Sequence, residues 1–192
     1  MIWLLLGLLW FLGSHSLRLL APAVRDNWRS RLGPNGWRVL FSLVSIAAFI
    51  VLIYGFGQAR GTPTLIWSPP TFMRHLAALL TLPAFILLVA AYVPGNHFKA
   101  WIGHPMLAGV KLWALAHLLA NGMLHDLLLF GAFLVWAIAD FAVSRRRDRS
   151  AGVRYPAGQL LPTLISVVVG GGLWAAFALY LHVRWIGVAP FG

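Results

Sequence analysis

Between Gly103 and Gly122 the chain reads GHPMLAGVKLWALAHLLANG, an almost wholly apolar run that carries two histidines, a lysine and an asparagine. Pro105 falls where a first helical turn tolerates proline, and Asn121-Gly122 is a helix stop. The run is therefore expected to form a membrane-spanning helix over 105–121. Trp113, His117 and Asn121 recur every four residues and share one face. Polar groups in a bilayer are costly and normally turn toward protein, a cavity or a ligand, so chemistry is expected on that face.

The chain holds seven histidines, four aspartates, no glutamate and no cysteine. His15, His75, His104, His117 and His182 fall in or at the ends of apolar stretches, whereas His97 and His125 fall in expected loops and are set aside. Missing cysteine removes thiolate ligands and nucleophiles and iron–sulfur clusters. Missing glutamate argues against a cage for a hard cation. Neutral imidazole remains a good ligand for haem iron, copper or zinc. A bis-histidine haem needs only two imidazoles and an apolar slot, and ten Trp and twelve Phe are there to line one. Trp113 would pack on the macrocycle, and Asn121 would orient the His117 ring through its second nitrogen. Ser14 and Ser16 flank His15 without the helical spacing that would aim them at it.

These residues sit in a chain of 192 residues, 60% apolar and only 10% charged, against about a quarter charged in soluble domains. Six stretches are long enough to cross a bilayer, which takes about 20 residues: 2–20, 38–56, 73–93, 105–121, 125–143 and 160–182. The expected fold is all-α, a polytopic bundle of six transmembrane helices forming one domain. Met1–Leu20 lacks a basic leader and reads as an uncleaved first span. The linkers carry turn formers, among them Gly33-Pro34-Asn35-Gly36 and Pro94-Gly95-Asn96. Pro83 and Pro162 predict kinks or local unwinding, and Gly170-Gly171-Gly172 permits close helix approach.

The net charge of +11 would suggest nucleic acid in a soluble protein, but here the arginines cluster in alternate loops. Arg25, Arg29, Arg31 and Arg38 lie in the first, Lys99 in the third, and Arg145, Arg146, Arg147, Arg149 and Arg154 in the fifth. The positive-inside rule makes those loops cytoplasmic and puts both termini outside. The bilayer, not nucleic acid, is the expected partner. At 1.5 Å per residue, straight helices place His15 about 7 Å and His104 about 0 Å from the cytoplasmic ends of their spans. His75 and His117 lie about 5 Å from the outer ends, so depth alone pairs His75 with His117 and His15 with His104. Lys111, about 10 Å inside span four, could pair with Asp140, meet a haem propionate, or snorkel to the interface.

Several motifs together resemble the NnrU family of bacterial membrane proteins: Leu12-Gly13-Ser14-His15-Ser16-Leu17-Arg18, Arg74-His75-Leu76, Tyr92-Val93-Pro94-Gly95-Asn96, Gly103-His104-Pro105-Met106 and Leu115-Ala116-His117-Leu118-Leu119-Ala120-Asn121-Gly122. That family is associated with nitrite and nitric oxide reductase systems of denitrifying bacteria. The resemblance implies a protein of the bacterial inner membrane acting in nitrogen-oxide metabolism beside components of those systems. The pattern is also similar to plant 15-cis-zeta-carotene isomerase, a haem b membrane enzyme whose axial histidines lie at the positions of His15 and His117. That likeness implies haem b here, with His75 as the alternative ligand on depth. It also raises two further readings, a haem-dependent cis-trans isomerase of a polyene lipid and a non-enzymatic assembly factor. The isomerase's cysteine three residues before the second histidine is Ala114 in this chain, and its arginine before His104 is Gly103. His104, Pro105 and Gly109 further resemble membrane methyltransferases of the isoprenylcysteine type, which rely on a glutamate this chain lacks. His15 and His117 stand farther apart on straight spans than one haem allows, so kinked or offset helices would have to bring them together.

Overall fold

The computed structural model describes residues 1–191, and among these every regular element is helical. In chain order they are α1 (Ile2–His15), α2 (Leu17–Leu20), α3 (Pro22–Arg60), α4 (Phe72–Ala90), α5 (His97–Ile102), α6 (Pro105–Ala120), α7 (Leu124–Ser150) and α8 (Leu160–Ala176). A π-helical turn, Phe177–Leu181, then leads into α9 (His182–Ile186). Four helical stretches are long and apolar enough to cross a membrane: Pro22–Arg60, Phe72–Ala90, Leu124–Ser150 and Leu160–Ile186. α1 and α6 are apolar but shorter, with 14 and 16 residues, or about 21 and 24 Å of helix.

The helices form two compact units, Met1–Ile66 with Met123–Ala132, and Trp67–Gly122 with Phe133–Gly192. In the amino-terminal unit α1 packs along α3. Gly7 meets the Leu52 backbone, and Gly55 meets the backbone of Trp3 and Leu4. A Cβ at either glycine would overlap main-chain atoms, which is why these turns hold glycine. Leu4, Leu8, Ala48 and Leu52 fill the seam. Outward-facing positions carry large apolar side chains such as Leu9, Leu43 and Ile50, the distribution expected where lipid replaces water.

Gly33-Pro34-Asn35-Gly36 is not the open linker the sequence predicts. Only Gly33 leaves the helical region, at φ 70° and ψ 168°, a conformation glycine adopts without a Cβ penalty. The chain is helical on both sides, so α3 is an arm over 22–32 broken from a membrane-length helix over 34–60. The first stretch, 2–20, is likewise interrupted at Ser16 between α1 and α2.

In the second unit α4 packs against both α6 and α8. Gly109 of α6 lies against Ala84, Leu87 and Leu88, and Gly170 of α8 against the Ile86 backbone. Trp174 Nε1–H donates to Thr81 Oγ1 at 3.0 Å. Of the glycine triplet only Gly170 is a contact, since Gly171 and Gly172 look onto open space. α4 runs on through Pro83, and Pro162 sits in the first turn of α8, where its missing N–H costs nothing. The local unwinding falls instead at the π-helical turn, ahead of His182.

Loops pair within each unit. In the second unit, Gln159 N–H donates to the Gly95 carbonyl at 2.8 Å, joining the loop before α5 to the one before α8. Asn96 is buried there and satisfies both chain ends. Its Oδ1 accepts from Lys99 N–H at 2.8 Å, and its Nδ2 donates to the carbonyls of Ala90 and Val93 at 2.8 and 2.5 Å. In the amino-terminal unit, Leu124 N–H donates to the Thr64 carbonyl at 2.8 Å. Gly170→Ala should lower stability by about 1–3 kcal/mol, the usual cost of overpacking a tight contact, whereas Gly171→Ala should be neutral. Thermal melts of the two variants in one detergent check this, and equal losses would contradict the packing described.

Candidate functional site

α6 begins and ends as its sequence predicts. Pro105 occupies the first turn, and Asn121 closes the helix in an extended conformation, φ −127° and ψ 139°. Gly122 is required for a different reason than a left-handed cap: the Trp67 carbonyl lies against it, leaving no room for a Cβ.

On the predicted face, the His117 ring returns to its own helix. Nδ1 lies 2.8 Å from the Trp113 carbonyl. A carbonyl can only accept, so the proton is on Nδ1 and the lone pair is on Nε2. The Trp113 ring packs beside the imidazole with centroids 5.3 Å apart, and Phe133 meets Trp113 edge-on at 5.6 Å. His182 is within electrostatic reach of His117, and its own Nδ1 donates to the Val188 carbonyl at 2.7 Å. The expectation that Asn121 orients the His117 ring is corrected here. The Trp113 carbonyl already holds Nδ1, and the Asn121 amide instead donates to the His117 carbonyl at 2.9 Å.

The other predicted residues divide between the units. His15 belongs to the amino-terminal one. Its Nδ1 donates to the Phe11 carbonyl at 2.7 Å, and its ring lies between Phe11 and Phe41 at 4.3 and 5.1 Å. It has the tautomer and aromatic setting of His117. His75 is exposed on the first turn of α4. Lys111 does not pair with Asp140, because its Nζ stands 3.6 Å over the Phe141 ring, a cation–π contact. Asp140 accepts from Ser144 Oγ at 3.0 Å.

His104 belongs to a cluster that sequence reasoning only partly found. Its Nε2–H donates to Asp148 Oδ2 at 2.7 Å, and the Tyr155 hydroxyl donates to the same oxygen. Arg145 lies 5.8 Å over the Tyr155 ring, and Phe141 meets His104 edge-on at 6.2 Å. Gly103, at φ 79°, is covered by the Tyr155 phenol, so no arginine could stand there as it does in the isomerases. Burial, and then the bond to Asp148, push the Tyr155 phenol above its ordinary value. The hydroxyl therefore stays a donor through the physiological range, and this tie is lost only as pH rises past that raised value.

Both histidines assigned to loops lie in the first turns of helices. His97 opens α5, with Nδ1 and backbone nitrogen 2.8 and 3.0 Å from Thr163 Oγ1. His125 sits in the first turn of α7, 5% exposed, with Nε2 3.6 Å from Asp126 and its ring against Phe56. A helix boundary falling one residue before His125 carries it from loop to core. Neither residue can serve as an inert control.

No group of three or more His, Cys, Asp or Glu side chains among the described residues could hold a metal ion. The donor chemistry of a haem axial ligand is a smaller demand: one neutral imidazole with Nδ1–H engaged, Nε2 carrying the lone pair, and aromatic neighbours. His117 meets it, and so does His15. His104 meets it poorly, because the nitrogen farther from its backbone is held by Asp148.

The NnrU protein family model matches residues 3–190. This chain belongs to the NnrU family. No curated relative and no solved structure matches it.

The His104–Asp148–Tyr155 cluster anchors the basic segment 145–154 to the start of α6. Tyr155→Phe removes one of its two donors and should speed tryptic cleavage within 145–154 several-fold, with Asp148→Asn showing a larger effect. Limited proteolysis of open membrane sheets measures this, and unchanged cleavage in both variants would show that the cluster does not hold the segment.

Proposed function

We propose that this NnrU protein crosses the bacterial inner membrane six times with both termini on the outer face. We propose further that it binds haem b through His117 and works in nitrogen-oxide metabolism as a redox or nitric-oxide-responsive component. The observation that carries the reading is the His117 ring itself: an imidazole in an apolar helix, proton fixed on Nδ1 by the Trp113 carbonyl, lone pair on Nε2, and the Trp113 ring packed beside it at a tilt. The six-pass path is supported by the loop pairings, which join the segments before α5 and α8 in one unit and those before and after residues 64 and 124 in the other. It is also supported by the arginines, which fall in alternate loops.

Bound haem would supply one-electron redox chemistry and a site for a diatomic gas. The residues' part is narrower. His117 offers the Nε2 lone pair, Trp113 provides a flat apolar wall, and the helix carbonyl keeps the imidazole in the ligating tautomer. Lys111, on the same helix, holds a positive charge over Phe141 and would meet an acidic edge of the group. The link to denitrification rests on the family resemblance.

The test is the absorption spectrum of the purified full-length protein after expression with ample haem. A Soret band is expected, and His117→Ala should convert it to a five-coordinate, high-spin form or abolish it. His15→Ala and His182→Ala, measured alongside, identify the second ligand by the same change. No Soret band in the wild type, or an unaltered one in His117→Ala, would overturn the reading. Without haem, the imidazoles would serve only the packing of their helices, as in an assembly factor.

A further inference from the structure

The amino-terminal unit carries a feature that haem binding does not use. The arm over 22–32 is amphipathic. Val24, Trp28 and Leu32 recur every four residues on one side and are all exposed, while Arg25, Arg29 and Arg31 occupy the others. An exposed apolar stripe flanked by arginines marks a helix lying in the membrane interface. The Gly33 break lets the arm turn away from the membrane-length part of α3.

Two clefts share a wall made by Ser14, Leu17, Trp37 and Phe41. The first, about 220 Å³, is lined by Ser14, His15, Arg18 and Arg25. The second, about 230 Å³, is lined by Val24, Trp28, Leu40 and Val44. Each is smaller than the roughly 300–1,000 Å³ of drug-sized sites. Their chemistries differ in a way that matches one kind of molecule. Ser14 and His15 both turn back to the Phe11 carbonyl, which leaves the first cleft's charge to the two arginines. Arg25 also touches Asp26 at 2.8 Å, but Asp26 is largely exposed, and surface pairs of this kind contribute little. The second cleft is apolar apart from Ser14 and borders the interfacial helix.

We propose that the paired clefts hold one anionic phospholipid, its phosphate between Arg18 and Arg25 and the start of an acyl chain along Trp28, Leu40 and Val44. A phosphate accepts bidentate guanidinium bonds. An amphipathic arm of this kind lies at headgroup depth, and the apolar cleft adjoins the basic one, as a chain continues from its headgroup. The arm would then be a lipid-gripping element, separate from the His117 site.

The experiment is native mass spectrometry of the full-length protein in detergent, titrated with dioleoyl-phosphatidylglycerol or with dioleoyl-phosphatidylcholine, which has the same chains. One phosphatidylglycerol should be retained at least tenfold more strongly than phosphatidylcholine. Arg18→Gln with Arg25→Gln should erase that preference, since each arginine near a lipid phosphate contributes about fivefold. The paired Lys substitutions should keep it to within about threefold, because charge survives. Arg146→Gln with Arg149→Gln, in the other basic segment, should leave it unchanged. The wild-type comparison needs no variant and stands if the Gln pair misfolds. Equal retention of the two lipids, or equal loss in the 146/149 pair, would overturn the proposal. Displacement of phosphatidylglycerol by millimolar inorganic phosphate would also overturn it, reducing the site to one for a free anion. Because the readout is lipid mass rather than a Soret band, its failure and that of the haem reading are separable.

Discussion

A hydrocarbon interior offers no water to a polar side chain, and the shortest way to satisfy one is its own helix carbonyl one turn back. Along the apolar helices this solution recurs. Ser14 and His15 both donate to Phe11, Ser16 to Leu12, Thr81 to Ala78, His117 to Trp113, and Ser166 to Pro162. Each bond satisfies a polar group of an apolar helix from that helix's own backbone. For serine and threonine the matter ends there. For histidine the bond has a chemical consequence, because it assigns the proton. An imidazole that donates Nδ1–H to a backbone carbonyl carries its lone pair on Nε2, the nitrogen that ligates metals most readily. The interaction that makes His15 and His117 tolerable in a bilayer also decides which ring nitrogen carries the proton.

Glycine and alanine complete this economy. With little hydrophobic gain from packing apolar helices in lipid, association relies on close approach. Within each unit the contact lines hold small residues: Gly7, Gly55 and Ala48 in one, Ala84, Gly109 and Gly170 in the other. Large aliphatic side chains face outward. Longer-range polar contacts gather at helix ends, where His104, Asp148 and Tyr155 close the basic segment and Asn96 closes the turn after α4.

What could be read in advance were features written in short-range spacing. Pro105 and Asn121 bound α6 as expected, and the shared face of Trp113 and His117 is real, because i, i+4 geometry belongs to the helix alone. The apolar stretches were legible for the same reason, although two of them form helices shorter than a bilayer is thick. What escaped depended on distant pairings. His104 meets Asp148 and Tyr155 across 44 and 51 residues, His97 meets Thr163 across 66, and Trp174 meets Thr81 across 93. No periodicity marks such partners. A lone aspartate amid the arginines of 145–149 was the one available hint. Gly33 was recognised as a breaker but mistaken for part of a linker, because a single φ of 70° can redirect a chain that stays helical on both sides.

The central claim is that the Trp113 carbonyl fixes the His117 proton on Nδ1, and it can be measured without any cofactor. Solid-state NMR of ¹⁵N-histidine-labelled protein in lipid, with the His117 signals assigned by their loss in His117→Gln, distinguishes the tautomers directly. The account predicts a protonated Nδ1 and an unprotonated Nε2 at neutral pH. A proton on Nε2, with Nδ1 bare, would break the link between membrane packing and ligand chemistry on which the account rests.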